Sequence, residues 1–170
     1  MKVTFRNLKE EEQFEKAKKA LASTADDLTF YMKFGWAHSD DEQTEFIASL
    51  ADNCSNIDEV EDAIDRYRNM GPFEDYGLCF DYVGKYTFKD QDEGYYRYQF
   101  SWGGPSDELR IYKNGCIEYV WMDWFVGVGF DVSLEDWAMW TVEHFEGMGL
   151  IDWDKATDED DIIAELSEDF

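Results

Sequence analysis

The sequence has little proline, histidine or basic charge. Of its 170 residues two are proline and two are histidine, and 15 Lys and Arg residues stand against 40 Asp and Glu. So few prolines argue against long extended linkers. The two histidines show no HExxH or HxH spacing, which argues against a transition-metal site or a histidine-based catalytic dyad. The three cysteines, Cys54, Cys79 and Cys116, have no CxxC spacing, so the sequence predicts reduced thiols rather than a disulfide framework or a zinc site.

Long apolar segments are also missing. No stretch reaches eighteen consecutive apolar residues, and the first residues, MKVTFRNLKEEEQ, lack the apolar region of a signal peptide. These absences predict a cytoplasmic protein that does not enter a membrane. The shortage of basic residues argues against direct binding of DNA, RNA or an anionic membrane, because each would be repelled.

Acidic residues and aromatic residues are abundant instead. The formal net charge is −25, and aromatic residues make up 18% of the chain. Two blocks hold most of the acid: residues 24–76 carry fourteen acidic and three basic residues, and residues 133–170 carry thirteen and one. Such self-repulsion destabilises a compact state, so we expect the charge to serve a purpose that offsets this cost.

The N-terminal part is predicted to be helical. Apolar residues recur at helical spacing in residues 7–22 and 56–71, the pattern SDDE at residue 39 is a capping box that opens a helix to about residue 51, and Gly71 supplies a stop. Residues 26–37 fit a short helix or a strand, and a helix is favoured. Asp58, Asp62 and Asp65 fall on one face of the helix over 56–71.

The second half is predicted to be an antiparallel sheet followed by a helix. Aromatic and β-branched runs at 76–83, 94–103, 108–115 and 116–127 indicate four strands, and Asn114-Gly115 is a strong hairpin signal. A C-terminal helix then begins near Ser133 and is expected to pack on the sheet. Its predicted inward residues are Leu134, Trp137, Thr141, Phe145 and Met148.

These elements predict an α+β fold: N-terminal helices, a four-stranded antiparallel meander, and a C-terminal helix packed on the sheet. Residues 1–150 are expected to form one domain, helical over 1–71 and with the sheet and its helix over 76–149. Residues 151–170 are expected to be an acidic tail that holds at most a short helix.

The segment 152–165 resembles a calcium-binding EF-hand loop. It lacks the glycine at position 6 of such a loop and has Ala156 where position 3 supplies an oxygen ligand, so we reject an EF-hand here.

The aromatic stretch at residues 97–125 is interpreted as scaffold rather than as a ligand site. Strand alternation places Tyr96, Tyr98, Phe100 and Trp102 on one face, and the sequence GGPSD suits a tight connection. A carbohydrate platform and a carboxylate-based hydrolase remain open alternatives. For the hydrolase, Asp123 and Glu118 are the best candidates because apolar neighbours would raise a carboxyl pKa. The favoured prediction is a non-enzymatic protein with no cofactor, metal or catalytic residue.

The charge also matches that of a short DNA duplex. Duplex DNA carries about one negative charge per 1.7 Å, so 25 charges correspond to roughly 43 Å, about the span of a globule of this length.

The segments GYYRYQFSWGGPSDELRIY and IEYVWMDWFVG, within residues 76–130, resemble a segment of small acidic proteins of phages and conjugative elements. That resemblance implies an anti-defence protein of the DNA-mimic type.

We therefore predict an inhibitor of a CRISPR or restriction complex, whose partner is a basic nucleic-acid-binding protein of the host. The alternative is an immunity protein that blocks a basic toxin nuclease by the same electrostatics; the genes beside it would separate the two. The acidic block at 24–76 supplies the predicted partner-binding residues: Asp58, Glu59, Asp62, Asp65, Asp40, Asp41 and Glu45.

Overall fold

The computed structural model describes residues 8–35, 45, 48–49, 52, 54–89, 91–124 and 126–156. In chain order the elements are helices α1 (Leu8–Phe34) and α2 (Ile57–Met70), a 3₁₀ turn (Phe73–Asp75), strands β1 (Cys79–Val83), β2 (Tyr95–Ser101), β3 (Ser106–Tyr112), β4 (Ile117–Asp123) and β5 (Val126–Asp131), and helix α3 (Asp136–Gly147). The predicted α+β class is confirmed.

The sheet has five strands rather than the predicted four. Its order is β1-β2-β3-β4-β5, and every neighbouring pair is antiparallel. The predicted single strand over 116–127 instead ends at Asp123, which pairs with Val126, the first residue of β5. Trp124 has a φ of 53°, which an aromatic residue rarely adopts. No turn was therefore predicted at this position. The glycines in VGVGFD further obscured β5, because glycine weakens a strand pattern.

Helix α1 is one continuous helix over both predicted N-terminal segments. Neither glycine nor proline interrupts residues 8–34, so the ambiguous residues after 26 continue the helix, as favoured, and it ends before Gly35. Helix α2 also matches its prediction and ends at Gly71, whose φ is 74°. The helix predicted over 39–51 lies largely outside the described residues, although Glu45, Ala48 and Ser49 are helical.

Helices α1 and α3 cover one face of the sheet, which we call the helix face. Phe14 of α1 contacts Phe130 of β5, with ring centroids 5.5 Å apart. At the other end of the sheet, Phe145 of α3 stacks on Phe80 of β1 at 4.0 Å. Residues from both helices and the strands form one core cluster, in which Tyr119 is fully buried. We call the opposite side of the sheet the outer face.

The bulge in β2 changes the predicted alternation of the aromatic side chains. Tyr96, Tyr98 and Phe100 face the core as predicted. The pairing of β2 with β3 shifts between Gln99 and Ser101, and Trp102 lies beyond this bulge with 78% of its surface exposed. An extra residue in one strand reverses the side to which later side chains point, so Trp102 does not join the core.

Helix α3 and the residues after it close the core. Of the residues predicted to point inward, Trp137, Thr141 and Phe145 are buried. Leu134 and Met148, which were also predicted to point inward, lie outside the helix bounds and are exposed. Residues 151–156 pack on the core, where Ala156 is 3% exposed, so the packed chain extends beyond the boundary predicted at residue 150.

No helix in the described part of the chain has the length and apolarity needed to cross a lipid bilayer.

Candidate functional site

Helix α2 presents exposed carboxylates, and three of the predicted partner-binding residues are among them. Asp58, Asp62 and Asp65 are all exposed on this helix. Asp65 also contacts Arg68 at 3.6 Å, but both side chains are more than two-thirds exposed, and a pair of this kind holds its partners weakly. The three carboxylates are therefore free to meet a basic surface.

The remaining predicted partner residues differ from these three. Glu59 completes a capping box: its carboxylate accepts from the Ser55 backbone N–H at 2.7 Å and from the Asn56 amide at 3.0 Å, while its own N–H donates to Asn56 Oδ1. Glu59 thus has a structural task at the start of α2. Glu45 is exposed, and Asp40 and Asp41 lie outside the described residues.

Arg66 joins α2 to α1. Its guanidinium contacts Asp26 at 2.9 Å and Asp27 at 2.5 Å, and it lies 5.0 Å above the ring of Phe30. Burial lowers the Arg66 pKa, but the hydrogen bond to Asp27 and the charge of Asp26 outweigh it, so its pKa is raised overall. Val60 and Ile64 pack beside Phe30 in the same interface. The apolar side and one arginine of α2 therefore face α1.

A row of charged residues crosses the outer face of all five strands. Cross-strand pairing places them side by side in the order Asp81, Arg97, Arg110, Glu118 and Asp131. Arg97 donates to both Asp81 oxygens, at 2.9 and 2.7 Å, and this bidentate bond raises the Arg97 pKa. Like charges on paired strands repel, so Arg97 and Arg110 need such carboxylate partners.

Arg110 has its own buried carboxylate. It donates from Nε to Glu108 at 2.7 Å, and Glu108 is only 2% exposed. Its guanidinium lies 4.9 Å above the Tyr95 ring. Burial lowers the Arg110 pKa, yet the bond to Glu108 outweighs this effect and the pKa is raised. Sequence reasoning missed this group, although arginines at the centres of two adjacent predicted strands were a signal that could have revealed it.

The two candidates for a carboxylate-based hydrolase lie on opposite faces of the sheet. Glu118 belongs to the outer-face row, whereas Asp123 is five positions along β4 and therefore alternates to the helix face. In agreement with this, the pKa of Lys16 on α1 is raised mainly by Glu12 and, to a smaller extent, by the charge of Asp123. A glycosidase needs two carboxyl groups that flank the same bond, and this placement does not provide them.

The histidine, cysteine and buried aspartate side chains of the described residues have structural roles. His144 of α3 packs against Phe73, with ring centroids 4.7 Å apart, and the three cysteines are half-buried and form no disulfide. Asp107 is buried on the helix face, where it accepts a hydrogen bond from the Tyr119 hydroxyl at 2.5 Å and another from the Ser101 hydroxyl. Within the described ranges, no cluster of three or more His, Cys, Asp or Glu side chains could hold a metal ion.

Comparison with known proteins gave no relative from which a role could be transferred. No protein-family model matches the chain. No curated protein and no solved structure matches it either. The charge and geometry of the described residues are therefore the basis for any functional conclusion.

Proposed function

We propose that this protein is a non-enzymatic, cytoplasmic inhibitor that binds a basic nucleic-acid-binding protein of a bacterial CRISPR or restriction complex. The exposed carboxylates of α2 would occupy the surface on which the target holds nucleic acid. The observation that carries this proposal is the density of acid on α2, whose apolar side is already packed on α1.

The spacing of these acids is close to that of phosphates in DNA. A helix rises about 1.5 Å per residue, so the eight residues 58–65 span about 12 Å. Five carboxylates in that length give roughly one charge per 2.4 Å, against one per about 1.7 Å along duplex DNA. These five residues are Asp58, Glu59, Glu61, Asp62 and Asp65. A surface that binds duplex phosphates would meet a similar charge here.

The net charge of −25 would help the protein reach its target. Opposite net charges steer two molecules together and can raise association rates by orders of magnitude at low salt. Because salt screens exposed charges over about 10 Å at 0.1 M, inhibition by this surface should weaken as ionic strength rises. Strong salt dependence is thus an expected property of the complex.

The test is a set of neutral replacements on α2. We expect Asp58→Asn, Asp62→Asn and Asp65→Asn together to abolish protection of incoming plasmid DNA in cells that carry an active CRISPR or restriction system. Glu59 is kept because it caps the helix. Transformation efficiency is the first readout, and competition of the purified protein with DNA for the purified defence complex is the second.

The matched control removes the same charge elsewhere. Glu135→Gln, Glu143→Gln and Glu146→Gln change three exposed acids at and on α3. If the α2 surface binds the target, this control retains inhibition. Equal loss in both triple variants would show that only total charge matters, and full activity of the α2 variant would refute the role assigned to that helix.

A further inference from the structure

A groove of about 670 Å³ lies on the outer face of the sheet. Its floor is formed by β2 and β3, and residues of the β1–β2 connection line one end. Exposed aromatic rings lie at this groove, Phe88 on that connection and Trp102 beyond the β2 bulge. The volume is within the range of sites that bind small molecules.

The floor of the groove consists of polar groups with fixed orientations. Arg97 is fixed by Asp81, and Arg110 is fixed by Glu108 and by the Tyr95 ring beneath it. A guanidinium has five N–H donors. The carboxylates take two of them on Arg97 and one on Arg110, and Arg110 also bonds to the Tyr112 hydroxyl, so each guanidinium keeps donors for a ligand. Gln99, which is 4% exposed, adds an amide to the same floor, and its Oε1 accepts a hydrogen bond from the Cys79 thiol at 3.4 Å.

The Tyr95 hydroxyl adds an unused hydrogen-bonding group at this floor. Tyr95 is 1% exposed, and among the described residues its hydroxyl has no hydrogen-bond partner. Leaving a buried polar group unpaired is unfavourable, so a small movement that admits a ligand hydroxyl would be favoured.

The charges around the groove balance one another, although the whole chain is strongly acidic. Three basic residues and three acidic residues line it: Lys89, Arg97, Arg110, Asp92, Glu93 and Glu108. An anionic ligand would be repelled by the net charge of the chain, and a cationic ligand would meet the two arginines of the floor. The site is therefore suited to a neutral ligand that both donates and accepts hydrogen bonds.

We propose that this groove binds a neutral oligosaccharide. Sugar hydroxyls donate and accept, which matches a floor that mixes guanidinium, carboxylate and amide groups. The apolar face of a sugar ring would lie on the exposed indole of Trp102. A peptide suits the site less well, because β2 and β3 are paired on both sides and offer no free strand edge for a peptide to extend. This proposal is independent of the function assigned to α2.

The experiment titrates the isotope-labelled full chain with cellohexaose, chitohexaose and maltohexaose. We expect at least one of them to give saturable amide shifts confined to β2, β3 and residues 88, 89 and 91–93, with a change in tryptophan fluorescence. Trp102→Ala should weaken that binding by roughly tenfold or more, as expected for an exposed aromatic anchor. Trp124→Ala is the matched control, since Trp124 is 86% exposed and does not line the groove.

Three results would overturn the proposal. The first is no saturable shift with any of the three sugars. The second is binding that Trp102→Ala leaves unchanged or that maps to another surface. The third is binding of a neutral serine–glycine hexapeptide at these residues while the sugars do not bind, which would assign the groove to a peptide.

Discussion

At the scale of single residues, Gly77 and Gly129 show how differently two close approaches constrain the chain. A Cβ on Gly77 would lie 2.6 Å from Cζ of Tyr98, whose ring contacts Phe73 and Phe145. A Cβ on Gly129 would lie 2.6 Å from Oε1 of Glu118, which is the end of a flexible side chain. The ring is held in a dense core, whereas the half-exposed carboxylate can rotate away.

We expect Gly77→Ala to destabilise the protein by about 1–3 kcal/mol, the usual cost of forcing an extra group into a packed core. Gly129→Ala should cost much less, because Glu118 can move and alanine restricts the unfolded chain more than glycine does. Urea denaturation of both variants measures the difference. Equal stability of the two variants would show that the Tyr98 ring is not held as tightly as its contacts indicate.

At the scale of elements, the start of α2 depends on the capping box of Asn56 and Glu59. We expect Asn56→Ala to lower stability by about 0.5–2 kcal/mol and to increase hydrogen exchange in the first turn of α2, because the Glu59 N–H loses its acceptor. Asn56→Ser should restore much of the loss, since serine keeps an acceptor for the Glu59 N–H and adds no charge beside the Glu59 carboxylate.

Ser55→Ala is the control for this prediction. The bond from residue 55 to Glu59 comes from its backbone N–H, which alanine retains. A loss of stability in Ser55→Ala equal to that in Asn56→Ala would mean that the cap is not the cause.

Periodicity predicted the elements well, and their ends less well. Helix α2, β1 to β4 and the buried residues of α3 follow apolar patterns that sequence shows directly. Strand β5 was missed because its boundary lies at the positive φ of Trp124, a conformation that sequence propensity does not predict for an aromatic residue. The outer-face groove was missed because it depends on the β2 bulge and on cross-strand pairs, neither of which a single sequence displays.

At the scale of the whole molecule, buried tyrosines make stability depend on alkaline pH. Burial raises the pKa of Tyr31 and of Tyr95 from 10.0 to about 12. Burial also raises the pKa values of Tyr76, Tyr98 and Tyr119. In the unfolded chain these phenols lose their protons near their ordinary pKa, so above it the unfolded state is favoured.

We therefore expect the free energy of unfolding to be unaffected by these groups below about pH 10 and to fall between about pH 10 and about pH 12. Tyrosinate absorbance and urea midpoints, both followed against pH at a fixed high ionic strength, test this expectation. High salt limits the contribution of the net charge. Tyrosines that ionise at their ordinary pKa without unfolding would contradict the burial described for them.

The contact between α1 and α3 has a consequence for synthesis of the chain on the ribosome. The strands pair only with their sequence neighbours, so each hairpin can form as soon as it emerges. Helix α1 is made before β4, β5 and α3, on which its apolar stripe packs. The part of the α1 stripe that α2 does not cover therefore stays exposed on the nascent chain until α3 has emerged. A chaperone that binds apolar helices would protect this segment during synthesis.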